Sequence, residues 1–546
     1  MSRRSVVAAL LVGCVLSAGA GKAATIEVVL SKIPGHPTAA VPDALNLAGQ
    51  PEFTEFSRLD VLMMSPDGSQ WMVAALTTSG VGSTTNRDAV VVKGSGLGRS
   101  VFLQEGQPAP FGNTADYISF FGSGAVSAFG GFNGNNEVCV SIRARTVQDG
   151  TAASPLSADG ARVLRWTPGE GFRLAYKEGQ IYFGGSGGVV GSAHSSYHLL
   201  NDGRVGSVDT TVNGTSAVQY LFYNTPAGMN QVFKQRDVSP VLDVDGVTTL
   251  TCGTFSTSDV YQFHTTPDGT HYCFKGGVTG ASGVSGVAWV YDGQVRLRAG
   301  VAIAGASPAT VVGDIISGAC AGNHWIARGR DNSSTAASAP DYAVVDGVMV
   351  ARSTLPITPG STERWGSTFS AASINANGDY IVQGVTTNPD LLRDNVIVLN
   401  GTTVLVREGD RVDLNGNGLE DDDAYVGRAA GSAFDGLDAY ITDDGMVHFI
   451  GYLRNAAGLD LTGSGAQALM RVRAVAGGCL GGCGTSDFNG DGDFGTDADI
   501  EGFFACLGGN CCGSCFCGGS DFNGDGDFGT DQDIESFFRV LAGGAC

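Results

Sequence analysis

A short turn recurs along most of this chain at a nearly fixed interval, and it constrains the fold more than any other feature. Its form is [N/T/S]-x-[D/N]-[G/N], followed by alternating apolar residues. Copies are Ser65-Pro-Asp-Gly68, Asn133-Gly-Asn-Asn136, Asn201-Asp-Gly203, Thr266-Pro-Asp-Gly269, Gly322-Asn323, Asn375-Ala-Asn-Gly378 and Thr442-Asp-Asp-Gly445. Turn positions 68, 136, 203, 269, 323, 378 and 445 are spaced by 68, 67, 66, 54, 55 and 67 residues. A repeat at such a period builds the same supersecondary unit again and again. Within the units lies a second pattern, exemplified by Trp289-Val-Tyr-Asp-Gly-Gln-Val-Arg-Leu297, Tyr342-Ala-Val-Val-Asp-Gly-Val-Met-Val350 and Val396-Ile-Val-Leu-Asn-Gly-Thr-Thr-Val-Leu-Val406. Asp-Gly or Asn-Gly between period-2 apolar runs predicts a β-hairpin with a type I′ turn, because both central residues need positive φ. Each unit then holds about four short antiparallel strands. Seven units predict a mainly β chain with a seven-bladed β-propeller-like repeat domain. The strand near Thr25–Leu30 would complete the last blade beside Leu469–Arg473 and cover two sheet edges. A row of small β-sandwiches is the rival arrangement.

Composition narrows the class. The chain has 546 residues with 83 Gly, and its formal charge is −22. Glycine spread without a G-X-Y period argues against collagen and against a helical bundle. An acidic balance excludes nucleic acid as the expected partner and favours cations. Arg3 and Arg4, the apolar run Val6–Leu16 and the small residues Ser17–Ala20 form a secretory signal over 1–20, with Ala24 as the alternative cleavage point. Leu11-Val12-Gly13-Cys14 offers a lipoprotein reading of the same segment, with Cys14 lipidated. No later run reaches 18 apolar residues, so no transmembrane segment is expected. The expected location is extracellular or at the cell surface.

Near residue 476 the composition shifts, which divides a repeat domain at 25–476 from a terminal module at 477–546. Residues 479–546 carry 12 Asp/Glu against one base, Arg539, which is −11 of the total −22. Asp487-Phe-Asn-Gly-Asp-Gly-Asp-Phe-Gly-Thr-Asp-Ala-Asp499 recurs 34 residues later as Asp521-Phe-Asn-Gly-Asp-Gly-Asp-Phe-Gly-Thr-Asp-Gln-Asp533. Oxygen side chains at positions 1, 3 and 5 with Gly at 6 are the first half of an EF-hand-like loop. Ca²⁺ needs six to eight oxygens, and this spacing turns alternate side chains inward. Expected ligands are Asp487, Asn489, Asp491, Asp493 (through its carbonyl) and Asp499, then Asp521, Asn523, Asp525, Asp527 and Asp533. Asp497 and Asp531 are the alternatives for closing the loops. The longer loop is preferred because a helix would start directly after it. Ile500, Phe503, Phe504 and Leu507, copied as Ile534, Phe537, Phe538 and Leu541, mark that helix's apolar face. A third candidate is Asp413, Asn415, Asn417, Asp421 and Asp423, a similar acidic loop with no helix after it.

Residues 60–475 resemble the secreted tandem-repeat proteins marked by N-x-x-G-x-x-A-F; the turn is kept in most copies and the A-F in few. The duplicated loop-plus-helix of 479–546 resembles a dockerin of the cysteine-rich GC type. That resemblance implies a small, disulfide-rich α module with two calcium loops, docking the chain to a surface or protein partner, cohesin-like or other. Eight of the 13 cysteines lie in this tail. Shifting by 34 maps Cys483 onto Cys517 and Cys512 onto Cys546, which points to bridges Cys483–Cys512 and Cys517–Cys546 among the 105 possible pairings. Zinc held by Cys512-x-x-Cys515 and Cys479-x-x-x-Cys483 is the alternative use. The 413–423 loop resembles thrombospondin-type calcium turns.

Catalytic signals are sparse. Gly184-Gly-Ser-Gly-Gly188 matches G-x-S-x-G without a strand–elbow–helix context. His194 and His198 lack the Glu of a zinc-protease helix, while His271 and His448 follow repeat turns, where a strand position is expected. Glu105, Glu178 and Glu408 are possible general acids, but they share one repeat position and so suggest a common turn-forming role. The first expectation is therefore a non-enzymatic binding or scaffold protein, anchored through its calcium module. The second is a secreted carbohydrate-active enzyme, hydrolase or lyase, carried by a dockerin, with polysaccharide as its partner. Two carboxylates within about 10 Å at a central funnel would favour the enzyme.

Overall fold

Alternating apolar and polar residues after each turn give strands whose buried faces stack. In the computed structural model these strands form a mainly β unit. The structure describes residues 25–42, 54–77, 89–111, 116–118, 131–146, 156–180, 190, 194–213, 216–225, 228–234, 240–255, 263–332, 339–462, 465–474, 488, 495–507, 522 and 529–542. The chain divides into two compact units, Thr25–Ala474 and a second that contains Val475–Cys546.

Seven sheets follow one another along the first unit. Sheet 1 is Phe56–Met64, Trp71–Thr77, Ala89–Ser95 and Gly98–Gln104, paired in that order. Sheet 5 (Val312–Ala321, His324–Asp331, Asp341–Val345, Val348–Arg352) and sheet 6 (Trp365–Ile374, Tyr380–Thr386, Asn395–Leu399, Thr403–Arg407) repeat the plan. Sheet 3 spans His194–Leu199 to Gly228–Lys234. Sheets 2, 4 and 7 carry extra short strands, so four strands per unit holds for four sheets of the seven. Among the described strands pairing is antiparallel except for Leu242↔Gln294 in sheet 4, and Glu27 makes a further parallel bridge to Asp413. Sheet 7 takes Glu27–Ser31 from the start of the chain beside Ala466–Arg473, with Glu27 opposite Arg471.

The hairpin turns take the expected backbone. Asp292, Asp346 and Asn400 have φ of 49°, 48° and 50°, and the glycine after each is also positive. The apolar core lies in layers between successive sheets. Trp71 of sheet 1 packs with Ile450 and Leu469 of sheet 7, Met72 with Val138 of sheet 2, and Trp289 of sheet 4 with Trp325 of sheet 5. The repeat turns also meet in order. Ser69 Oγ donates to Asn136 Oδ1 at 3.1 Å, and Asn133 Nδ2 to the Leu200 carbonyl at 3.0 Å. Asn201 N donates to the Pro267 carbonyl at 2.7 Å, and His271 Nε2 lies 2.9 Å from Asn323 Oδ1. Between the fifth and sixth turns there is no room for a side chain, since a Cβ on Gly322 would stand 2.9 Å from the Ala376 oxygen. Asn375 Nδ2 donates to the Thr442 carbonyl at 3.1 Å, and Asp443 N returns the series to Pro66 O at 2.9 Å.

A second device recurs where each sheet hands over to the next. Glu105, Glu178, Ala299, Ser353 and Glu408 each donate N–H to the start of the neighbouring strand, and the residue after each takes positive φ. That following residue is Gly106, Gly179, Gly300 or Gly409 in four sheets and Thr354, with φ 76°, in the fifth. A β-branched side chain pays about 1–2 kcal/mol in this left-handed region. Thr354→Gly is therefore expected to raise the stability of the β unit by about 1 kcal/mol, read as a higher urea midpoint with an unchanged slope.

In the second unit, helix α1 (Asp497–Leu507) and helix α2 (Asp531–Leu541) repeat each other. Both begin three residues earlier than the sequence reading placed them. Thr530 is the N-cap of α2, with Asp533 three residues on completing a capping box, so the free N–H groups are satisfied from within the loop end. Phe488, Phe503, Phe522 and Phe537 form its buried core. Phe504 and Phe538 turn outward at 45% exposure each, so the apolar face is narrower than the periodicity suggests. Among the described residues no helix is long and apolar enough to cross a membrane.

Candidate functional site

First strands of the sheets line a cavity of about 280 Å³, reached by Met64, Phe132, His264, Cys320, Ala371 and Tyr440 among others. Small and aliphatic residues dominate its wall. Among the described residues Asp443 is its sole carboxylate; burial pushes that acid up, and its Oδ1 accepts the Ala376 N–H at 2.7 Å. Among the described residues no second acid lines this cavity.

A pair of acids exists instead at the end of sheet 6. The Asn400-Gly401 hairpin sets Val396 opposite Arg407, which brings Asn395 and Glu408 together at its open end. Glu408 N donates to the Asn395 carbonyl at 2.8 Å. Asn395 Nδ2 then donates to both acids, to Asp394 Oδ1 at 2.6 Å and to Glu408 Oε2 at 2.9 Å. Asn395 thus bridges the carboxyls of Asp394 and Glu408. Glu408 is fully buried and its Oε1 has no hydrogen-bond partner. Burial above all, with the charge of Asp394 added, pushes Glu408 up to about 7, against the opposing pull of Asn395 and Arg454. Burial raises Asp394 as well, although its side chain is half-exposed. Arg407 does not neutralise the pair, because Glu363 holds it through two bonds of 2.9 Å. A buried carboxyl that keeps its proton near neutrality, bridged by an amide to a half-exposed carboxyl whose own proton burial also favours, makes an acid–base site open at the half-exposed member.

Glu105 and Glu178 occupy the same backbone position, and their side chains accept from backbone, at Ala89 N (3.4 Å) and Ala161 N (3.3 Å). The shared turn-forming role expected of the three glutamates describes their main chains. Glu408 differs because Asn395 stands where the others meet alanine. An Asp-Asn doublet opening a hairpin that closes on Glu-Gly is the sequence signal, and it needs the hairpin register to be read.

Of the calcium candidates, Asp487, Asn489, Asp491, Asp493, Asp521, Asn523, Asp525 and Asp527 lie outside the described residues, as do both inferred bridges, the signal segment and Gly184–Gly188. Asp499 and Asp533 are fully buried. Asp499 Oδ1 accepts Phe488 N at 2.7 Å, and its Oδ2 accepts Thr496 N at 2.8 Å. Asp533 Oδ2 accepts Thr530 N at 2.7 Å. Cys506 is disulfide-bonded.

The third loop is not assembled as a cation shell. Asp413 spends both oxygens on the N–H groups of Gly416 (2.7 Å), Asn417 (3.2 Å) and Gly418 (2.7 Å). Asn415 Nδ2 donates to Asp422 at 2.9 Å and Asn417 Nδ2 to Asp421 at 3.3 Å. Asp423 turns to Ala456 N at 2.8 Å. Among the described residues no group of three or more His, Cys, Asp or Glu could hold a metal ion. His448 is buried on its strand, and burial pushes it down to about 3, where it stays neutral. His271 bonds Asp292 at 2.6 Å, which raises it.

No family model matches the chain, and no curated protein does. Solved structures similar to it include a Trypanosoma rangeli sialidase in complex with the inhibitor DANA, at 9% identity and TM-score 0.27 over 82% of this chain. The chain spans 59% of that sialidase's length. The polysaccharide lyase Uly1 matches at 10% identity and TM-score 0.36, over 82% of this chain and 98% of the lyase. Drosophila Semaphorin 1b, extracellular domains 1–2, matches at 8% identity and TM-score 0.33, over 84% and 90%. A sialidase and a lyase among these folds correct the expectation of a non-enzymatic scaffold and the leaning against an enzyme. Similarity this slight leaves the chemistry to be argued from the chain's own residues.

Proposed function

We propose that the β unit is a seven-bladed propeller acting on polysaccharide, a carbohydrate-active enzyme of hydrolase or lyase type exported by its signal segment. The reading rests on the Asp394–Glu408 pair, which holds a proton near neutrality beside a half-exposed carboxyl. Seven sheets whose turns meet in order from the first round to Pro66 again, with Glu27–Ser31 built into the last, support the propeller. The full chain, offered a panel of neutral and acidic polysaccharides, should release reducing ends or unsaturated sugars from at least one. A panel left wholly uncut would refute the enzyme.

The terminal unit belongs to the same proposal: a GC-type dockerin-like, disulfide-rich module whose two loops bind Ca²⁺ and which docks the chain to a surface or protein partner. Its support is the close repetition of loop and helix at an interval of 34 residues, and the Phe488 N–H bond that folds the residue after Asp487 back onto Asp499. At free calcium a hundred times Kd, each loop would gain about 3 kcal/mol. Removing calcium with a chelator is expected to lower helix content and the terminal unit's melting point. All five tryptophans (71, 166, 289, 325 and 365) lie in the β unit, so their fluorescence transition should stay in place. Unchanged helix content after chelation would refute the calcium reading.

A further inference from the structure

Two thiols that the proposed activity does not use meet between sheets 4 and 5. Cys273, in Tyr272–Thr279, is fully buried, and Cys320, in Val312–Ala321, is 8% exposed. They share one core cluster with Trp289 and Ile315. His264 is the cross-strand partner of Cys273, and its carbonyl accepts a bond from Cys320 Sγ at 3.7 Å. The Cys320 sulfur therefore lies against the strand pair at the level of Cys273. Cys273 and Cys320 thus flank His264 within that one core cluster. The remaining free cysteines among the described residues, Cys139 and Cys252, sit in separate clusters.

We propose that Cys273 and Cys320 are a modification site, oxidised to a disulfide that ties sheet 4 to sheet 5. The oxidant is a disulfide of the glutathione or dithiol-protein class. Cys320 faces the cavity and is the thiol such a donor reaches first. Its thiolate attacks one sulfur of the donor disulfide, that S–S bond breaks, and the other donor sulfur leaves and takes a proton. The Cys273 thiolate then displaces the remaining donor sulfur, which leaves as a second thiol. Two protein thiols are oxidised and one donor disulfide is reduced. Burial pushes the Cys273 thiol well above its usual range, so the second step runs fastest during folding, before the sheets close over it. The inference is independent of the proposed activity.

The test folds the full chain with oxidised glutathione, alkylates it under denaturing, non-reducing conditions, and digests it so that Cys252 and Cys273 fall in separate peptides. Mass spectrometry should find the Cys273 and Cys320 peptides joined, with Cys139 and Cys252 alkylated. Separate, alkylated Cys273 and Cys320 peptides would overturn the proposal. As a second reading, reductant should lower the tryptophan-monitored melting point of the wild-type chain by about 4 °C. It should leave that of the Cys273→Ser/Cys320→Ser variant unmoved. Equal responses of the two chains to reductant would also overturn it.

Discussion

Asp394→Asn is expected to lower polysaccharide turnover by about a hundredfold or more while leaving the fold intact, because proton transfer from a positioned acid contributes on that order. Asparagine keeps the size of Asp394 and a bond to Asn395 but can no longer deliver the proton. The pH profile separates this from a structural role. In the wild type the pair titrates as a unit. Activity should fall as pH rises past about 7, where Glu408 loses its proton. Glu408→Gln should remove that upper limb, because a glutamine cannot ionise. The same variant carries a stability signature whose sign is fixed. Glu408 is pushed above its usual value, so through the window up to about 7 the folded chain holds a proton that the unfolded chain has released. Its contribution is therefore fully present at low pH and declines as pH rises through that window. Thermal melts of Glu408→Gln should lack this decline. A variant with wild-type turnover and an unchanged profile would remove Asp394 from the chemistry.

How far the chain could be read beforehand depended on the distance between partners. Hairpins at Asp292-Gly293, Asp346-Gly347 and Asn400-Gly401 were legible because the demand for positive φ is local to two residues. The turn period, and the partnership of the first strand with Leu469–Arg473, followed from repetition and from the cost of open edges. The Asp394–Glu408 pair escaped notice because Asn395, which joins the two acids where Glu105 and Glu178 meet alanine, faces Glu408 only through the register of a particular hairpin. At the 413–423 loop the spacing of Asx residues serves two purposes alike. Asx residues at alternate positions serve backbone N–H groups as readily as a cation, and Asp413 takes three of them. Helix starts at Asp497 and Asp531 were missed because the threonine before each, a capping residue, was counted as part of the metal loop.

Gln467→Leu is expected to cost the β unit about 2–5 kcal/mol, through a contact no local pattern reveals. The first strand of sheet 1 lies at the sheet's edge and shifts register between Leu59 and Val61, with Leu59 still opposite Ala75. Gln467, 408 residues away in sheet 7, bonds both backbone groups of Leu59. Its Oε1 accepts Leu59 N at 2.8 Å, and its Nε2 donates to Leu59 O at 2.7 Å and to Asp435 Oδ2 at 2.5 Å. Leu59 is fully buried and Gln467 is 4% exposed, so water does not substitute. Leucine would keep the volume and leave a buried N–H and C=O unsatisfied, at about 1–3 kcal/mol each. Sheet 6 meets the same need differently: Phe369, at its own register shift, gives N–H to Asp341 Oδ2 at 2.8 Å and takes Arg328 Nη1 on its carbonyl at 2.5 Å. The amide is thus one solution to a recurring problem, placed where the first and last sheets meet. Urea titration followed by tryptophan fluorescence isolates the β unit. The midpoint should drop with the slope preserved, and the less exacting Ser69→Ala, which removes one turn-to-turn bond near the surface, should move it by less than about 1 kcal/mol. A Gln467→Leu chain as stable as the wild type would mean that sheets 1 and 7 are held together by packing alone.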